Sequence, residues 1–295
     1  MHSLRKSGSR RHTASARRYR IGFWLFGLCW WLIAPARLWP ESPPAALLAD
    51  GYNEMYNLNF SAAHDDFRQW QHAHPQDPLA PASDAAAYLF SELDRLHLLE
   101  SELFSDDSAF EHRPKPVPDE RTKAAFETAL DQAERLSSAA LKRSPRDNDA
   151  LFAEVLANGL RGNYQALIEK RDLAALRYMK RSRSVAEELL AADPAYYDAY
   201  LAMGAENYLL GLHSAPVRWL LRMGGAETDT ARGLTELRMV AEKGRYLGPY
   251  ARLLLVVAAL REKDPDHAAT LLEGLAREFP HNPLYRKELA RINSN

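Results

Sequence analysis

The chain has 295 residues, of which 46% are hydrophobic and 26% charged, so it can bury a large core and is not a disordered polypeptide. Residues 1–40 hold eight of the 38 basic residues and none of the 39 acidic ones, which leaves 30 basic and 39 acidic residues, a formal charge of −9, in the rest. This mildly acidic body argues against nucleic-acid binding as the main task. The single cysteine, Cys29, excludes an intrachain disulfide.

An uncharged apolar run occupies residues 21–36 and follows a basic stretch. This order predicts an export signal or a retained signal anchor with its N-terminus in the cytoplasm. Four tryptophans between positions 24 and 39 favour a retained anchor, whereas Ala34-Pro35-Ala36 offers a small-residue cleavage site, so both alternatives stay open. We therefore expect a single-pass membrane protein with its body outside the cytoplasm, or a secreted protein. The expected segments are a basic tail at 1–20, a transmembrane anchor or signal at 21–39, a spacer at 40–45 and a helical domain at 46–293.

Residues 194–204, which read PAYYDAYLAMG, join the end of one amphipathic segment to the start of the next. Tyr200, Met203 and Gly204 share one helical face, where two large side chains flank a notch for a neighbouring helix. Pro194 stands where it ends the preceding helix, and we expect it to open the next helix at its first turn.

The same arrangement recurs near the start of the domain, where small residues allow two helices to touch and a proline closes the pair. Its positions are Leu47, Gly51, Phe60, Ala63, Phe67 and Pro75. This spacing resembles the tetratricopeptide-repeat (TPR) family, whose unit is a helical hairpin of about 34 residues. The resemblance implies an all-α, TPR-like α-solenoid of about five hairpins with irregular inserts. Together with the N-terminal segment, the domain resembles bacterial membrane-anchored TPR proteins. This implies a single-pass protein of a bacterial inner membrane with its body in the periplasm, or a secreted periplasmic protein.

Apolar periodicity predicts further helices along the domain, with a proline-rich loop at 114–118 and a turn around Gly159, Gly162 and Asn163. The predicted helical segments are 82–104, 120–142, 150–160, 172–192, 195–210 and 229–243, then a nearly regular hairpin at 247–280 and a last helix at 283–292. The charged residues of the last helix are expected to cover the end of the stack.

The resemblance to TPR proteins implies protein binding, scaffolding or complex assembly, with other proteins or peptides as partners and no cofactor. Carried over by spacing, its inner groove would be lined by Tyr52, Met55, Tyr56, Phe152, Leu156, Leu201, Tyr208, Leu209, Tyr250, Leu253 and Val257. A second interface is predicted at Arg218, Trp219 and Arg222, where a tryptophan lies between two arginines. The alternative for both sets is that these side chains pack in the core.

Signals of catalysis or metal binding are weak. His64, His72 and His74 lack the spacing of metal ligands on a helix, and no metalloprotease, phosphate-loop or nucleophile-elbow motif occurs. We therefore expect a protein that is not an enzyme and binds neither metal nor cofactor. Two alternatives stay open: an envelope enzyme or small-ligand binder with a pocket at residues 211–226, including His213, and a subunit that stacks on copies of itself.

Overall fold

The structure, a computed structural model, describes residues 43–99, 113–211 and 229–294. Within these residues the secondary structure consists of α-helices and one short 3-10 turn, Tyr197–Ala199, without strands, so the predicted all-α class is confirmed. The helices are α1 (Pro43–Tyr56), α2 (Phe60–Ala73), α3 (Leu79–Arg95), α4 (Glu120–Arg143), α5 (Asn148–Leu167), α6 (Asp172–Ala192), α7 (Tyr200–Gly211), α8 (Thr230–Lys243), α9 (Gly248–Arg261), α10 (Pro265–Glu278) and α11 (Pro283–Asn293). No helix in these ranges is long and apolar enough to cross a membrane; the predicted anchor at 21–39 lies outside them.

Several odd-numbered helices are followed, two positions after their last residue, by a residue with left-handed backbone. Leu58, His97 and Lys263, which follow α1, α3 and α9, have φ between 54° and 62°. After each of them, an amide donates to the carbonyl oxygen five residues earlier, for example Asn59 to Glu54 at 2.9 Å. This bond satisfies a carbonyl that the helix end leaves open and reverses the chain.

Most even-numbered helices are followed by a turn of a different kind, with proline at its second position. The turns are His74–Asp77, Ser144–Asp147, Asp193–Tyr196 and Phe279–Asn282, and in each the last amide donates to the first carbonyl oxygen at 3.0–3.2 Å. Proline is favoured at the second position of such turns because its fixed φ matches the φ that the turn requires. Asp147 and Asn282 then cap the next helix through the amides of Ala150 and Leu284. Two kinds of turn thus alternate along the chain.

The turn between α8 and α9 lacks proline and is held by a side chain instead. Asp198, which is 3% exposed, accepts hydrogen bonds from the backbone amides of Arg245, Tyr246 and Leu247 at 2.8–3.1 Å. Gly244 is required beside it, because a Cβ atom there would lie 2.8 Å from the Asp198 carboxylate. A buried carboxylate from the α6–α7 connection therefore replaces the proline of the other turns.

Close helix contacts occur at the small residues that the sequence singled out. A Cβ atom at Gly51 would lie 2.4 Å from the ring of Phe67, and one at Gly204 would lie 3.1 Å from Leu237 in α8. The predicted approach of α1 to α2, and of a neighbouring helix to Gly204, is therefore confirmed.

Three predicted boundaries are wrong. The helix predicted over 82–104 ends at Arg95, because His97 has left-handed backbone and residues 96–99 are not helical. Pro194 ends α6, but it lies in the following turn, and α7 begins only at Tyr200. Gly159 and Gly162 do not form a turn; they lie inside α5, where a Cβ atom at Gly162 would lie 3.4 Å from Met179. These glycines allow α6 to pack closely on α5.

Candidate functional site

The first hairpin, α1 and α2, contacts the C-terminal helices directly. The Tyr56 hydroxyl donates to the backbone oxygen of Tyr246 at 3.0 Å, and the Asn282 amide donates to the backbone oxygen of Tyr56 at 2.9 Å. The backbone amide of His281 donates to the side-chain oxygen of Asn57 at 3.1 Å. These bonds join elements that are 190 to 226 positions apart in sequence.

Aromatic rings fill the space beside these hydrogen bonds. Tyr52 stacks on Tyr246 with ring centroids 5.0 Å apart, and Tyr56 lies 5.4 Å from Phe279. Tyr52 and Tyr56 are each 3% exposed, so both belong to the core. Aromatic pairs at these distances contribute about 0.5–1.5 kcal/mol each beyond the area they bury. The contact between the first and last hairpins is therefore a packed aromatic cluster.

A pocket of about 370 Å³ opens next to this cluster, between α1 and the α8–α9–α10 region. Tyr52, Tyr56, Tyr246 and Phe279 form its aromatic floor. Its rim carries polar and charged side chains, namely Asn53, Arg245, Arg252 and Glu278. Ala49, Ala241, Gly244, Gly248 and Pro249 complete the lining.

The two arginines of the rim differ in their surroundings. Arg252 donates to a Glu278 carboxylate oxygen at 2.6 Å, so its charge is paired. The guanidinium of Arg245 lies over the ring of Tyr246, 4.9 Å from the ring centroid, and its side chain is exposed. An arginine held on an aromatic face keeps its donors free for a planar anionic group.

Burial changes the acid–base behaviour of the groups beneath the pocket. It raises the pKa of Tyr246 to about 12, although the nearby Arg245 acts in the opposite direction. Burial likewise raises the pKa of Tyr52, whose hydroxyl accepts a hydrogen bond from Ser83 at 3.0 Å. Burial also raises the pKa of the Asp198 carboxyl, against the lowering effect of its three amide donors. The floor tyrosines are therefore neutral phenols at physiological pH.

The residues predicted to line a TPR-like groove lie mostly in the core. Tyr52, Met55, Tyr56, Phe152, Leu156, Tyr208 and Val257 are buried, and Leu201, Tyr250 and Leu253 are half-buried. The structure brings Tyr52 and Tyr56 together at the floor of the pocket, and the other predicted groove residues whose side chains are described do not line it. Partner binding by the predicted groove residues stays a prediction.

Other predicted positions lie outside the described residues. The structure does not describe residues 212–228. These include the predicted second interface at Arg218, Trp219 and Arg222, and all but the first residue of the alternative pocket at 211–226 with His213. For Leu209 the structure describes the helix backbone alone.

The histidines that were considered for metal binding have other neighbours. The Nδ1 atom of His64 lies 2.6 Å from an Asp84 carboxylate oxygen, and its ring packs on Tyr88. The ring of His74 stacks on Trp70, and His72 is exposed. Across 43–99, 113–211 and 229–294, no three histidine, cysteine or acidic side chains are grouped closely enough to hold a metal ion.

Sequence reasoning missed seven residues of the site: Asn53, Asp198, Arg245, Tyr246, Arg252, Glu278 and Phe279. The available signal was the sequence GRY at 244–246. It has glycine and arginine where the turns at 74–77, 144–147, 193–196 and 279–282 have a proline. Nothing local in the sequence indicated that Asp198 would hold this turn.

Comparisons with known proteins do not assign the chain to a family. It matches no protein-family model, and neither the characterised proteins nor the solved structures include a significant match.

Proposed function

We propose that this chain is a non-catalytic protein-binding scaffold, which captures an extended segment of another protein in the pocket between its first and last hairpins. The observation that carries the proposal is this pocket, with its aromatic floor and its charged, accessible rim. Its volume of about 370 Å³ is in the usual range of ligand pockets, ~300–1,000 Å³.

The alternation of two turn types supports a TPR-like α-solenoid as the architecture of this scaffold. Left-handed residues follow α1, α3 and α9, and proline turns follow α2, α4, α6 and α10, so the hairpin is the repeating unit. Solenoids of this kind commonly use a concave face for binding. Here the contact of α1 with the C-terminal helices narrows that face to a pocket. This architecture, like the function, is argued by analogy of fold.

The proposed location is the bacterial cell envelope. The basic stretch followed by the apolar run at 21–36 supports an anchor or an export signal, with the helical domain on the periplasmic side. Intact-mass measurement of the chain recovered from membranes distinguishes the two, because signal cleavage near Ala36 removes the N-terminal segment.

Site-specific photocrosslinking in cells tests the proposed function. A photoreactive amino acid at Asn53, which lies on the pocket rim, is expected to give a discrete adduct with another polypeptide. The matched control is the same amino acid at Glu188, an exposed position of α6 away from the pocket. The adduct is identified by mass spectrometry and reproduced with purified partner.

Equal adducts from both positions, or none from Asn53, would contradict a partner-binding pocket. An adduct between two copies of this chain would instead support self-association, which sedimentation at several concentrations then checks.

A further inference from the structure

Arg245 forms no ion pair with a residue of the described ranges, although its charge acts on the nearby carboxyls of Asp198 and Asp149. Its guanidinium contacts the face of Tyr246 at 4.9 Å, and within the described ranges no carboxylate oxygen lies within 4.0 Å of it. Its backbone amide is held by Asp198, so the position of the residue is fixed while its side chain stays exposed.

The acidic groups around Arg245 already serve other donors. Asp198 accepts three backbone amides, and Asp149 accepts the hydroxyl of Tyr196 at 3.1 Å. On the rim, Glu278 is paired with Arg252 at 2.6 Å. The Arg245 guanidinium is therefore the group of this pocket whose donors are best placed to receive an anion from outside.

The rest of the pocket limits what such an anion is attached to. The rings of Tyr52, Tyr246 and Phe279 are 3–5% exposed, so the accessible apolar lining comes from Ala49, Ala241 and Pro249. The Asn53 amide, also in the lining, offers a donor and an acceptor. A planar carboxylate fits the arginine fork better than a spherical ion does, and an adjoining apolar group would cover the accessible alanine and proline surface.

We infer that the pocket recognises an acidic side chain of an extended peptide, with the carboxylate on Arg245 and a neighbouring aliphatic side chain against Ala49 and Pro249. This inference rests on the proposed function and names the ligand chemistry of the same site. In this arrangement the Asn53 amide would bond the peptide backbone, and the Arg252–Glu278 pair is part of the same lining.

Fluorescence anisotropy with the full-length chain in mild detergent tests this inference. The probe is a fluorescein-labelled peptide of alternating leucine and glutamate, with both ends blocked. The control peptide has glutamine in place of every glutamate. The glutamate peptide is expected to bind at least about tenfold more tightly, since a charge-assisted hydrogen bond contributes more than a neutral one.

The matched variants are Arg245→Gln and Arg238→Gln. Both remove one exposed arginine, but Arg238 on α8 does not line the pocket. We expect Arg245→Gln to weaken binding of the glutamate peptide about tenfold or more and Arg238→Gln to leave it within about twofold. Arg245→Lys is expected to recover part of the affinity, because it restores the charge without the planar fork.

Three outcomes would overturn the inference: equal binding of the two peptides, no binding of either, or equal affinities of Arg245→Gln and Arg238→Gln. Free glutarate serves as a competitor; displacement at the same concentration as unlabelled peptide would overturn peptide recognition in favour of a small-acid site. The photocrosslink at Asn53 tests the two proposals separately. A protein adduct at Asn53 combined with equal binding of the two peptides would support the protein-binding scaffold and contradict recognition of an acidic side chain.

Discussion

The hydroxyl of Tyr56 donates to the backbone oxygen of Tyr246 at 3.0 Å, across 190 positions of sequence. This bond joins α1 to the turn that precedes α9, and the floor of the pocket lies beside it. The stability of the contact between the first and last hairpins and the shape of the candidate site therefore depend on the same residues.

Replacing Tyr56 with phenylalanine removes this bond and keeps the ring. The buried backbone oxygen of Tyr246 then loses its hydrogen-bond donor. We expect the free energy of unfolding, measured by urea titration followed by circular dichroism, to fall by about 1–2 kcal/mol. Tyr200→Phe is the control, because the Tyr200 hydroxyl makes only an exposed contact at 3.4 Å and its removal is expected to cost under ~0.5 kcal/mol. Equal losses in the two variants would contradict a structural role for the Tyr56 bond.

Replacing Asp198 with alanine leaves three backbone amides without their acceptor. The amides belong to Arg245, Tyr246 and Leu247, and at neutral pH we expect a loss of about 2–4 kcal/mol in the free energy of unfolding. Hydrogen exchange measured by mass spectrometry is expected to accelerate at 244–247 more than in α2. Asp50→Ala, at an exposed position of α1, is the control; unchanged exchange at 244–247 in Asp198→Ala would contradict the role of Asp198.

The Asp198 carboxyl also predicts a pH dependence of stability. Burial raises its pKa in the folded chain above the ordinary value of 3.8, so the folded chain binds this proton more tightly than the unfolded chain does. The stabilisation that protonated Asp198 adds to the free energy of unfolding is fully present below the pKa of the unfolded chain. It is lost as the pH rises through the pKa of the folded chain. Relative to Asp198→Asn, the free energy of unfolding of the parent chain should therefore decrease as the pH rises from below about 3.8.

Urea titrations of both chains at several pH values measure this difference. A difference that is constant with pH, or that increases as the pH rises, would contradict a raised pKa at Asp198.

Local features of the fold were predictable from the sequence, and contacts between distant elements were not. Proline after an amphipathic segment indicates where a helix stops, and Gly51 with Phe67 indicates a close helix pair, because both signals lie within one hairpin. The position of Asp198 under the α8–α9 turn depends on a packing partner almost fifty positions away.

The tyrosines of α1 show the same limit. Helical periodicity places Tyr52 and Tyr56 on one face of α1, but it does not distinguish a face that awaits a partner from one that a later helix of the same chain covers. Packing on Tyr246 and Phe279 determines that both tyrosines are buried. Asn53, which adjoins this face of α1, stays exposed and lies on the rim of the pocket.

The contact between α7 and α8 gives a further prediction, because two glycines on these helices face each other. A Cβ atom at Gly233 would lie 2.6 Å from the Tyr208 backbone nitrogen and 2.9 Å from the Gly204 backbone oxygen. Backbone atoms of a packed helix yield little, so we expect Gly233→Ala to lower the free energy of unfolding by about 1–3 kcal/mol or more. Gly274→Ala in α10 is the matched control, since the nearest atom there is the end of Arg252 at 4.0 Å.

For Gly274→Ala we expect a gain of about 0.5–1 kcal/mol, the usual advantage of alanine over glycine inside a helix. Opposite signs of the two changes in thermal or urea unfolding would therefore separate steric contact from helix propensity. A stabilised Gly233→Ala chain would show that α7 and α8 are not held at the observed separation, because alanine fits there only if the helices move apart.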